Sequence, residues 1–127
     1  MSSQTLAGKI GGQTWTFGTG ETMAALSTSD QLWVDLYAGR FESCVPMGAS
    51  GNADMVTMMM PRAPGNYDLG VNLNTLYTSR TGAAYVATSG RLVIDSITPT
   101  TITGAMNITY NGDNTVNGQF QATICPP

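Results

Sequence analysis

Three residues in one short segment have the types and spacing of a ligand platform. Trp33, Asp35 and Tyr37 alternate along Gln31 to Ala38 and fall on one face of an extended strand. Two aromatic rings flanking a carboxylate suit a sugar, which stacks on the rings and hydrogen-bonds to the acid. A paired carboxylate would extend this to glycoside hydrolysis, and the chain holds eight acidic residues. The competing expectation is a strand face whose aromatic rings simply pack on their cross-strand neighbours.

The two cysteines are the second feature. Cys44 and Cys125 are widely separated and even in number, which predicts one disulfide between a mid-chain segment and the last strand. Closing a loop of about 80 residues stabilises a fold by roughly 3–5 kcal/mol when unstrained. The alternative is a pair of unrelated buried thiols.

Other residue sets are weaker. Met55, Met58, Met59 and Met60 are dense enough to suggest a thioether site for Cu(I), but a strand buried on both faces accounts for them as well. Asn111-Gly112-Asp113-Asn114 offers several oxygens, yet calcium needs six to eight ligands, with Asp54 or another acid joining the loop. The same four residues are good hairpin formers because they tolerate φ > 0. Asn107-Ile108-Thr109 matches a glycosylation acceptor but sits inside a strand pattern.

Composition removes whole classes of chemistry. There is no histidine, so Ser-His-Asp and Cys-His machinery cannot be assembled in its usual form. Two cysteines without histidine cannot fill a four-ligand zinc site of the common kind. A Ser-Lys pair would rest on Lys9 alone, in a predicted first strand. The glycine-rich stretch Gly8 to Gly20 leads to neither a lysine nor a clear helix, so no phosphate loop is read there. We therefore expect no catalytic residues, no metal site and no cofactor.

Net charge is −3, and Arg40, Arg62, Arg80 and Arg91 are scattered singly. Nucleic-acid binding needs clustered cations that displace condensed counterions, so it is not expected. No apolar run reaches the ~18 residues of a membrane span. Charged residues make up 10% of the chain, with Thr, Ser, Asn and Gly in their place, a composition associated with exported β proteins. Met1 to Thr5 has neither the charged nor the apolar region of a leader. Together with the cysteines, this is read as a mature exported chain with its leader removed and Met1 added.

The elements that would position these residues are strands. Period-two alternation recurs, and no segment sustains a helical period. Strands are expected over Gln13 to Phe17, Gln31 to Ala38, Ala53 to Met60, Tyr67 to Val71, Ala83 to Thr88 and Arg91 to Ile97. Two more follow over Thr101 to Tyr110 and Thr115 to Ile124. Thr22 to Ser27 reads as a short helical turn. Inward positions are expected at Leu32, Val34 and Leu36, then at Ile102, Gly104, Met106, Ile108 and Tyr110. In the last strand they are Val116, Gly118, Phe120, Ala122 and Ile124. Pro99 and the Asn111 to Asn114 turn join the last three strands into a meander from Arg91 to Cys125. Gly104 and Gly118, inside strand patterns, mark bulges or close backbone approach. The expected fold is all-β: one domain over residues 1–127, an antiparallel β-sandwich or flattened barrel of about seven or eight strands.

Several segments resemble a pattern in small bacterial surface lipoproteins of unknown function. Ser89-Gly90-Arg91-Leu92-Val93-Ile94, Ile102-Thr103-Gly104 and Val116-Asn117-Gly118-Gln119-Phe120 resemble the three strands of their C-terminal meander. Pro64-Gly65-Asn66-Tyr67-Asp68-Leu69 and Gly12-Gln13-Thr14-Trp15 are similar to two of their upstream segments. The resemblance implies a secreted, periplasmic or outer-membrane-attached β-sandwich with a lipid anchor in the untrimmed precursor. It brings no catalytic residues. The functional expectation is a non-enzymatic extracellular or cell-envelope module that acts in surface structure or binds a protein or glycan partner. A carbohydrate-binding or glycan-hydrolysing domain using Trp33, Asp35 and Tyr37 is one alternative. A subunit of a β-rich filament or coat is the other.

Overall fold

A computed structural model describes residues 1–45, 54–70, 73–79 and 81–126. The fold is all-β, with eleven strands and one 3-10 turn among these residues. In chain order the strands are β1 Ala7–Ile10, β2 Gln13–Thr16, β3 Thr19–Thr22, β4 Gln31–Tyr37, β5 Met55–Pro61 and β6 Gly65–Asp68. They continue as β7 Asn74–Thr78, β8 Ala84–Val86, β9 Ser89–Ile97, β10 Thr101–Asn111 and β11 Asn114–Thr123. The turn at Ala24–Leu26 lies inside the segment where a helical turn was expected.

Nine strands form one curled sheet in the order β6-β9-β10-β11-β3-β4-β5-β7-β8, and β1 and β2 add a pair on β11. Two expectations are corrected here. The strands among the described residues number eleven, not seven or eight, because β1, β3 and β7 lie in segments that carry little apolar alternation. The sheet is also mixed, since β3 runs parallel to β11 through Thr123 and Glu21. The expected strand ends at Ala53 and Val71 fall outside the described residues.

The C-terminal meander is continuous. Thr98 closes the β9–β10 turn by accepting the amides of Thr100 and Thr101 on its hydroxyl. At the β10–β11 hairpin, the Asn111 side chain accepts the Asp113 amide at 2.9 Å. Ile102, Met106, Ile108, Val116, Phe120 and Ala122 all face the core, as the alternation predicts. Tyr110 does not: it is 40% exposed. The register slips between Thr109 and Asn111, and a slip of one residue turns a side chain to the other face. Ile124 lies beyond the end of β11 and is half-buried.

The core gathers Leu32, Val34 and Leu36 of β4, Val56, Met58 and Met60 of β5, and Tyr77 of β7 against the meander. Tyr77 also spans the curl, donating its hydroxyl to the Ile108 carbonyl of β10. That bond joins strands on opposite sides of the core and satisfies a phenol that would otherwise be costly to bury. Burial shifts the Tyr77 hydroxyl to a pKa above the ordinary tyrosine value. No helix among the described residues is long and apolar enough to cross a membrane.

Candidate functional site

The outer face of β3, β4, β5, β7 and β8 carries the predicted platform. Cross-strand register sets its composition. Glu21 stands opposite Asp35, Asp35 opposite Thr57, Thr57 opposite Leu76, and Leu76 opposite Val86. One step along, Trp33 stands opposite Met59, and Met59 opposite Asn74. Pleating places both rows on the face away from Leu32, Val34 and Leu36.

Trp33, Asp35 and Tyr37 are brought together on this face, but they are not equally accessible. Asp35 is 3% exposed and Tyr37 8% exposed, whereas Trp33 is half-buried. Tyr37 packs edge-on against Phe41, with ring centroids 5.2 Å apart. Burial removes Asp35 and Tyr37 from any stacking surface and leaves Trp33 as the accessible ring.

Asp35 is a buried acid satisfied by its neighbours. The Thr57 hydroxyl donates to its Oδ1 at 2.7 Å. Burial pushes the Asp35 carboxyl above the usual carboxylate range. Hydrogen bonding from Thr57, Trp33 and Tyr37 opposes that shift, while the charge of Glu21 adds to it. The Tyr37 hydroxyl is raised as well, first by burial and then by the charges of Asp35 and Glu21. The carboxylate is thus enclosed and hydrogen-bonded rather than open on the strand face.

The disulfide covers the adjoining edge. Cys44 and Cys125 are bonded with S–S 2.06 Å and Cα–Cα 5.3 Å, closing a separation of 81 residues. Glu21 anchors this corner by accepting the Cys44 amide at 2.6 Å. The Thr22 hydroxyl accepts the Cys125 amide at 2.8 Å. Glu21 Oε2 also lies 3.8 Å from Cys125 Sγ. The sulfurs are bonded to each other, so this cluster offers a metal a single carboxylate and no thiolate.

Beside Trp33 the outer face dips into a groove of about 260 Å³. Met59, Leu76 and Val86 give it apolar walls, and Thr57 and Asn74 give it uncharged polar groups. Val86 is 63% exposed, because β8 is a three-residue edge strand paired only with β7. Of these wall residues only Met59 was named from the sequence, and then as part of a thioether set. Their signal is cross-strand register, which no single strand carries.

The remaining candidates fall into structural roles. Met58 and Met60 are fully buried in the core, while Met59 points outward into the Trp33 groove. The Asn111 to Asn114 loop holds the neighbouring turn: Asn114 accepts the Gly11 amide at 2.8 Å, and the Asp113 carbonyl accepts the Gly12 amide. Asp54, at the start of β5, accepts the buried Trp15 indole on its backbone carbonyl at 3.0 Å.

No family model, curated protein or solved structure matches this chain. The functional reading therefore rests on the geometry of its side chains.

Proposed function

We propose that this chain is a non-enzymatic binding module of the extracellular space or bacterial cell envelope, and that the Trp33 groove takes a sugar ring of a glycan. The observation that carries this reading is the contrast between the two tryptophans. Trp15 is 2% exposed and spends its N–H on the Asp54 carbonyl, while Trp33 stays accessible in a groove with uncharged polar groups. An aromatic face bordered by amide and hydroxyl groups recognises a neutral polyol ring by stacking and hydrogen bonding.

Enclosure of Asp35 supports binding over hydrolysis, because hydrolysis needs two carboxylates within reach of the scissile bond. The disulfide supports an oxidising compartment. The resemblance to surface lipoproteins points the same way and adds a lipid anchor in the precursor, whose N-terminal sequence tests that point. We read the curl as sandwich-like packing, with Tyr77 bridging β7 to β10.

The test is tryptophan emission and calorimetry across a panel of neutral glycans, on wild type and Trp33→Phe. A glycan that shifts emission in wild type and loses affinity in Trp33→Phe supports the proposal. Absence of binding across the panel, or binding indifferent to the substitution, overturns it. A second reading, a filament or coat subunit, is favoured by the exposed Val86 on the free edge of β8. A concentration-dependent increase of mass in solution supports that reading, and a monomer at every concentration removes it.

A further inference from the structure

A second cavity, of about 470 Å³, opens at the end of the curl opposite the Asn111 to Asn114 hairpin. It is framed by the β9–β10 turn at Pro99 and Thr100, the start of β4 and the segment after β11. It shares no lining residue with the Trp33 groove. Its volume lies within the usual range of small-molecule sites, and the mouth of a curled sheet is a common place for one.

We propose that this cavity binds a small amphiphilic carboxylate, with its headgroup on Arg62 and its apolar body over Ile124 and Pro99. Charge decides the headgroup. Arg62 is the one charged residue among the described lining residues, in a chain whose net charge is −3. Its guanidinium is held in place by two hydrogen bonds from Nε and one terminal nitrogen to the Thr28 carbonyl, at 3.1 and 2.8 Å. The other terminal nitrogen keeps donors for a carboxylate, whose planar shape matches a fixed guanidinium.

The rest of the lining fits a partly apolar guest. Ile124 is half-buried and Pro99 and Pro126 are exposed, so a short alkyl or aromatic body adds to apolar surface that the fold leaves uncovered. Thr22 is 4% exposed, and its hydroxyl accepts the Cys125 amide. Thr22 lines the cavity, and its hydroxyl keeps its own proton to donate.

The test compares octanoate with octanol, which share a body and differ in headgroup. Amide chemical shifts of the oxidised protein are followed for Thr22, Thr100, Ile124 and Cys125. Octanoate is expected to move these signals and to bind more tightly than octanol. Arg62→Gln is expected to weaken octanoate roughly tenfold and leave octanol unchanged. Ala24→Leu, which narrows the cavity from its 3-10 turn, is expected to weaken both. Trp33→Phe is expected to change neither, which separates this site from the glycan groove. Equal affinity for the two ligands, an Arg62→Gln variant that binds octanoate normally, or no shift at these four amides each overturns the proposal.

Discussion

Leu6 crosses directly over Gly118, so closely that a Cβ on Gly118 would stand 2.6 Å from the Leu6 Cα. The contact is what lets the N-terminal segment join the sheet. Leu6 donates its amide to the Gln119 carbonyl at 2.8 Å, and the Gln119 amide donates to Gln4 at 2.9 Å. Gly118 also has φ +142°, a conformation that side chains rarely adopt. Gly118→Ala is therefore expected to cost about 2–4 kcal/mol, combining backbone strain with a clash against backbone that cannot swing aside. Urea denaturation measures the loss. Faster hydrogen exchange at the Leu6 and Gln119 amides than elsewhere in β11 assigns it to this crossing.

Asp35 gives the protein a specific pH dependence. Its folded pKa is raised above the ordinary carboxylate value by burial. The folded state thus holds the proton more tightly than the unfolded state. Its favourable contribution is complete below the unfolded pKa of about 3.9 and is lost as pH rises through the folded value. Asp35→Asn removes the titration and keeps an acceptor for Thr57. The variant is expected to be more stable than wild type at pH 7, with the gap closing toward pH 4. Denaturation midpoints of both proteins across that range decide it, and the difference between them cancels the other carboxylates.

Phe120 lies in the last strand opposite Gly104 and is 4% exposed. Its ring meets Phe17 edge-on, with centroids 6.4 Å apart. Gly118 and Ala122 on either side are small, so the ring is the main apolar group of its stretch of β11. Phe120→Ala is expected to cost about 3–5 kcal/mol, the usual range for a truncated core aromatic. A loss below about 1 kcal/mol in chemical denaturation would place the ring at the surface.

The disulfide is checked by intact mass after alkylation without reductant, where no added label is expected. Replacing both cysteines by serine is expected to lower stability by roughly 3–5 kcal/mol, the range for a loop of this length. Because Glu21 and Thr22 hold the Cys44 and Cys125 amides, the damage should concentrate at β3 and the end of β11. Hydrogen exchange across Thr19–Thr22 reads that directly.

How much of this was legible in the sequence depends on how local each feature is. The faces of β4 and of most of β10 and β11 follow from alternation, because neighbouring side chains on any strand point to opposite sides. The hairpin at Asn111 to Asn114 and the turn at Thr98 to Thr101 follow from residues whose own side chains close them. The cysteine pairing follows from there being two cysteines. Gly104 and Gly118 announced irregularity, and the structure shows a register shift beside the first and a crossing chain over the second.

Tertiary structure alone decided the rest. Thr19–Thr22 and Asn74–Thr78 carry too little apolar alternation to read as strands; they become strands because β11, β4, β5 and β8 offer them unpaired backbone. The parallel pairing of β3 with β11 brings Glu21 beside Thr123 across most of the chain length, a contact no local pattern encodes. Neighbouring groups likewise decided the fate of the predicted platform, Thr57 at Asp35 and Phe41 at Tyr37. Trp33, Asp35 and Tyr37 share a face by periodicity, but Asp35 and Tyr37 are covered and Trp33 is left half open. Alternation tells which face a side chain takes, and only the packing of distant strands tells what comes to lie upon that face.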